Sequence, residues 1–192
     1  PPYEPLFAWL EGKAARPDPK STPIFRPLML AHPLEEADLA ALDPSAYRAE
    51  WKWDGIRGQL IHRAGGCSLW SRGEELINEA FPELIALAEQ LPQGTAMDGE
   101  VIVWHGDADT PEAFASLQRR LGRKAPSRSL QRDCPAAFVA YDLLEHQGTD
   151  LRQQPLQQWP PLPRQRVERP PHFAAAAEPQ QRPCARLTRS AC

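Results

Sequence analysis

No stretch of 18 consecutive apolar residues occurs in the 192-residue sequence, so no segment reads as a membrane-spanning helix. No Cys-x-x-Cys pair exists among Cys67, Cys134, Cys184 and Cys192, and no histidine pair stands at ligand spacing beside them. That argues against zinc and fits reduced thiols. Positive charge is also short: 22 Lys and Arg face 25 Asp and Glu, for a net charge of −3. A uniformly basic nucleic-acid-binding domain is thereby excluded, and any DNA contact must come from a local basic face. Residues 1–15 hold no basic segment followed by an apolar one, so no secretory signal is expected and the setting reads as cytoplasmic. Proline, by contrast, is abundant. There are 22, and seven of them fall between Trp159 and Cys192, where an ordinary sequence carries about 5%.

Three regions follow from this distribution. Residues 1–33 read as a Pro-rich, irregular leader. Residues 34–158 carry periodic patterns and read as one folded domain, for which a 42% hydrophobic content supplies a core. Residues 159–192 open on Trp159-Pro160-Pro161-Leu162-Pro163, hold six arginines against two glutamates, and keep no apolar period. Such a segment buries too little to offset its ordering entropy and is expected to be disordered.

Within the middle region a short helix is expected over 34–42, with Glu35 and Glu36 in its first turn. Strands are expected over 49–54, 59–62 and 67–71, the last two joined by a hairpin at Ala64-Gly65-Gly66. A helix over 82–91 starts at Pro82 and lines Leu84, Ile85, Ala88 and Leu91 on one face. Strands follow over 94–104 and 136–144. Between them Thr110-Pro111 should cap a helix carrying Phe114, Leu117 and Leu121. Strands outnumber helices and hairpins join several of them, so the fold class reads as α+β, with antiparallel sheets flanked by helices.

The chemistry concentrates in Glu50-Trp51-Lys52-Trp53-Asp54-Gly55-Ile56-Arg57. In a strand, Glu50, Lys52 and Asp54 would share one face and Trp51 and Trp53 the other. The indoles would stiffen the strand while an acid, a base and an acid stand on a rigid support. Gly55 lets the chain turn, and Arg57 can then return beside the lysine. The plain alternative is a solvated surface strand over a Trp-rich core.

Lys52, Asp54, Gly55 and Arg57 match Lys-x-Asp-Gly-x-Arg, and the chain resembles the covalent nucleotidyltransferases: DNA ligases, RNA ligases and capping enzymes. Further segments resemble the bacterial-type ATP-dependent DNA ligases in order. Ser71-Arg72-Gly73-Glu74-Glu75 resembles a motif that usually reads Ser-Arg-Asn-Gly. Met97-Asp98-Gly99-Glu100 resembles a strand motif ending in an acid. Phe138 to Leu144 resembles an aromatic strand ending in Tyr-Asp, and Glu145 to Arg152 continues it. The resemblance covers roughly residues 22–158.

It implies an ATP-grasp-like adenylation domain that seals nicked duplex DNA, in repair, recombination or replication, through a lysyl-AMP intermediate. ATP and Mg2+ would be the cofactors and the protein a monomer. Lys52 would accept AMP, with Asp54 and Arg57 as catalytic partners. Glu50 would read adenine, Arg57 would contact the ribose and phosphate side, Arg72 would hold the 5′-phosphate of the nick, Glu100 would hold the ribose or support metal, and Phe138 would stack on adenine. The basic run at Arg119, Arg120, Arg123 and Lys124 would contact the DNA backbone; its plain alternative is a solvated helix end.

Two of the family's later motifs are absent. No Glu-Gly-x-x-x-Lys segment follows Arg152, and no lysine follows Lys124. The domain is therefore expected to be incomplete at its C-terminus, with 159–192 an out-of-frame tail and the chain unable to complete sealing alone. An RNA ligase or capping-type enzyme, and a non-catalytic truncated product, remain the alternatives.

Overall fold

Strand β2 (Ile56–Arg63) alternates Leu60 with Ile61 and ends at the two-residue turn Ala64–Gly65, so β3 (Gly66–Ser71) folds straight back on it in antiparallel register, Arg63 opposite Gly66. The computed structural model describes residues 4–16, 23–30, 33–43, 47–106, 108–155, 173–175 and 185–189. The main sheet runs in the order β3-β2-β4-β5-β6, with β4 at Thr95–Val103, β5 at Ala136–His146 and β6 at Thr149–Asp150, all antiparallel. β7 (Phe173–Ala175) joins β5 in parallel, and β1 (Tyr47–Trp51) pairs with β8 (Ala185–Arg189) as a separate two-stranded sheet. The α+β class holds.

One face of the main sheet carries Leu60, Leu69, Met97, Val101, Phe138 and Leu143 into the main core. Helix α3 (Pro82–Ala88) covers it with Leu84, Leu87 and Ala88, and α4 (Phe114–Gln118) adds Leu117. Pro82 suits its first-turn position, because its missing N–H would have no helical partner there. The opposite face is divided. Ile61, Trp70, Ala96 and Leu144 form a small cluster with Phe25 at one end, and Ile102, Ala137 and Val139 form another with Trp53 and Trp104 at the other. Between them lie Arg57, Gln59, Asp98 and Glu100.

Several elements depart from the sequence reading. The leader is not wholly irregular, since α1 (Glu4–Leu10) forms within it and residues 23–26 dock on the sheet. The expected helix over 34–42 is α2 (Glu36–Ala41), where the Glu35 side chain and the Asp38 carboxylate cap each other's backbone N–H groups. The helix expected to start at Thr110-Pro111 starts after Ala113. An unanticipated helix, α5 (Arg128–Asp133), is capped by the Ser127 hydroxyl, which accepts from Leu130 N at 3.2 Å. The segment read as disordered contributes β7 and β8; the rest of 156–192 lies outside the described residues.

Candidate nucleotide-binding site

The strand read over 49–54 stops at Trp51, and residues 52–54 belong to no strand. Trp51 and Trp53 still neighbour each other, with ring centroids 6.4 Å apart, and Trp53 packs on Trp104 at 5.4 Å. Lys52 and Asp54 are exposed. The indoles therefore anchor the segment and leave the lysine exposed, but without the strand expected to hold Glu50, Lys52 and Asp54 on one face. The Glu50 side chain lies outside the described part of the chain; its backbone, in β1, stands opposite Arg186 of β8.

Gly55 brings this segment onto β4. A Cβ there would fall 2.1 Å from the Val101 carbonyl oxygen and 3.1 Å from Glu100 Cγ, so any larger residue would push the Lys52 segment off the sheet. The glycine of the hexapeptide is thus a close-approach glycine.

β2 then carries Arg57 into register with Glu100 on β4, and the Arg57 carbonyl accepts from Arg72 N at 3.1 Å. Arg57, Arg72 and Glu100 consequently meet at the end of the sheet where the Lys52 segment enters. The Arg72 side chain is exposed, and that of Glu100 is half-buried. Arg57 Nη2 stands 3.5 Å from Asp98 Oδ2, and the guanidinium carbon lies 5.8 Å from the Tyr141 ring centroid. Arg57 Nε is buried without an acceptor among the described residues. A guanidinium with donor capacity left, beside an exposed lysine and arginine, suits an anionic ligand such as a nucleotide. Among the described residues no group of three or more His, Cys, Asp or Glu could hold a metal ion by itself.

Two expected assignments do not fit. Phe138 is completely buried in the main core, its ring filling the space that Gly99 leaves open; a Cβ on Gly99 would meet ring atoms at 2.5 and 2.6 Å. Such a ring cannot stack on a ligand. Tyr141, half-buried beside Arg57, is the aromatic that faces the site. Arg120 is fully buried as well. Its guanidinium binds both Glu83 carboxylate oxygens, donates to Ala80 O at 2.6 Å and Cys134 O at 3.1 Å, and lies 4.9 Å from the Phe81 ring centroid. It ties α3 to the chain before β5 and has no reach to DNA. Arg119, Arg123 and Lys124 are exposed and remain available.

Sequence reasoning passed over Asp98, although period-2 alternation with Glu100 places both on one face, and it passed over Gln59 altogether.

A family model for the ATP dependent DNA ligase domain matches residues 28–186. The chain belongs to this family. The matched span continues past Gln158 into the Pro- and Arg-rich segment. A probable DNA ligase of Koribacter versatilis is 37% identical over 138 residues, covering 70% of this chain and 23% of that protein. DNA ligase C2 of Mycolicibacterium smegmatis is 40% identical over 104 residues, covering 53% of this chain and 28% of that one. The solved ligase domain of M. tuberculosis LigD is 30% identical, with a TM-score of 0.47, over 60% of this chain and 35% of that chain. The chain therefore spans about a quarter of the length of the curated relatives it matches.

Proposed function

We propose that this ligase-family chain performs the nucleotide-charging step of DNA nick sealing. Lys52 Nζ attacks the α-phosphorus of ATP, an N–P bond forms, the bond to pyrophosphate breaks, and the amine gives up a proton. AMP would then pass to the 5′-phosphate of a nick. The observation that carries this reading is the seating of the Lys52 segment, through Gly55, at the sheet end where Arg57, Arg72 and Glu100 converge.

Arg57, held between Asp98 and Tyr141, would orient the nucleotide and face its phosphates. Tyr141 takes over the stacking role that Phe138 cannot fill. Glu100 would bind the ribose, Arg72 the nick phosphate, and Asp54 would flank the lysine. Glu50 would accept from the adenine amino group, where guanine presents a carbonyl oxygen instead. Magnesium, when bound with the nucleotide, neutralises phosphate charge. Arg119, Arg123 and Lys124 would contact the backbone of nicked duplex DNA. The protein would work as a cytoplasmic monomer wherever repair, recombination or replication leaves nicks.

Incubation with α-labelled ATP and magnesium, followed by a denaturing gel, tests the reading. The protein should retain label, Lys52→Ala should lose it, and GTP should label far less. Label that survives in Lys52→Ala would sink the assignment. Equal labelling by GTP would point to a capping-type enzyme.

A further inference from the structure

Gln59 is fully buried on the polar face of the sheet, and its amide uses both ends. Its Oε1 accepts from Arg26 N at 2.7 Å, while its Nε2 donates to Arg26 O at 3.1 Å and to Asp98 Oδ1 at 2.9 Å. Gripping N–H and C=O of one residue copies what a neighbouring strand does in an antiparallel ladder. The other oxygen of Asp98 faces Arg57. A continuous polar chain thus runs from the backbone of residue 26, through Gln59 and Asp98, to the Arg57 guanidinium.

The remaining contacts show that residues 23–26 are seated as a unit. The Pro23 carbonyl accepts from Trp70 Nε1 at 3.0 Å and Ser68 Oγ at 3.2 Å, and Phe25 lies 6.3 Å from the Trp70 ring. Arg26 pairs with Glu145, which also binds Arg63 at 2.6 Å. Only a primary amide fits the hub. A carboxylate would have no proton for Asp98 and would repel it, and an aliphatic side chain would leave buried donors and acceptors unmet.

We propose that Gln59 is a positioning residue that links the seating of residues 23–26 to the orientation of Arg57, so that leader docking and nucleotide binding reinforce each other. This rests on the reading of Arg57 as a nucleotide contact. Linkage of this kind is reciprocal: what steadies Arg57 steadies the leader, and the reverse.

Hydrogen exchange followed by mass spectrometry, with and without ATP, reads the leader directly. In the wild-type protein ATP should slow exchange in peptides covering residues 23–28. In Gln59→Leu that slowing should vanish while β4 and β5 stay protected. The ATP concentration for half-maximal self-labelling should rise by roughly fivefold or more, with a smaller change in maximal rate. Trp70→Phe loosens the leader from its far side without touching the polar chain, and it should raise the ATP requirement in the same direction by less. A merely structural Gln59 would lower the amount of folded protein and leave the ATP requirement of the folded fraction unchanged. A labelled wild type with unaltered ATP requirement in both variants would overturn the linkage alone. An unlabelled wild type would overturn the functional reading and the linkage with it.

Discussion

Arg119, Arg120 and Arg123 look interchangeable in the sequence, yet the fold gives Arg120 a different task. Its donors go to Glu83, Ala80 and Cys134 inside the core, whereas Arg119 and Arg123 are exposed. Removing one partner of such a buried pair strands the other, at about 3–5 kcal/mol. Arg120→Ala should therefore lower stability by that order in urea titrations. Arg123→Ala should stay within about 0.5 kcal/mol yet weaken duplex binding, which Arg120→Ala should not do in the protein that remains folded. Glu74 carries a second residue-scale signal. Where related motifs read Asn-Gly, this chain reads Gly73-Glu74, and Glu74 has a φ of 61°. A glutamate thus takes the left-handed position, with the glycine one place before it. A non-glycine residue there costs about 1–2 kcal/mol, partly offset by the entropy a glycine loses on folding, about 0.5–1 kcal/mol. Glu74→Gly should raise stability by about 0.5–1 kcal/mol in thermal or urea unfolding; a loss would refute this account of the turn.

β5 shows what was and was not legible at the level of elements. Its strand character was plain from Ala136 onward, and alternation separates Phe138 from Tyr141. Which of those faces meets the core was not visible locally. It depends on Gly99, across the sheet, vacating the volume that the Phe138 ring fills, and on the register shift between Asp98 and Gly99 that sets the Tyr141 stretch of β5 against β4. β1 failed differently. Its pattern persists through Asp54, but regular pairing ends at Trp51, because Gly55 draws the following residues onto β4. The motif itself was readable because chemistry fixes its residue types. The docked leader was not, because its partners lie about 35 to 120 positions away, as with Gln59 and Glu145. The β5–β6 hairpin yields a pH prediction. Hydrogen bonds from the Arg152 side chain, and its charge, hold the Asp150 carboxyl at about 2, below its ordinary 3.8. A lowered carboxyl stabilises the fold above its ordinary value and loses that contribution as the pH falls from about 4 towards 2. Asp150 is half-exposed, so the effect should be small and local. NMR titration of the carboxyl should place its midpoint near 2, and Arg152→Ala should return it to the ordinary range. An unchanged midpoint in that variant would disprove the cause.

At the scale of the whole molecule, charging and sealing make different demands. On the proposed reading, charging needs a lysine, a guanidinium and a place for the nucleotide, and Gly55 seats the Lys52 segment at the end of the sheet that carries Arg57. Sealing also needs cations aimed at the charge of the transferred phosphoryl group and a surface that grips a duplex. This chain has no lysine beyond Lys124, carries a net charge of −3, and spans about a quarter of the length of its curated relatives. Among the described residues the exposed basic side chains near α4 and α5 are Arg119, Arg123, Lys124, Arg128 and Arg132, and each phosphate contact adds only about one released counterion to the affinity. The 192 residues alone should therefore take label from ATP at Lys52 but leave a nicked duplex unjoined. The measurement is a nick-joining assay with the purified chain, ATP and magnesium, run beside the longer mycobacterial relative. Joined product at a rate near that of the relative would show that the grip and the phosphate cations are already present in this chain. No joined product, with joining restored when the relative's C-terminal half is fused after residue 186, would place those demands in the part of the family that this chain does not span.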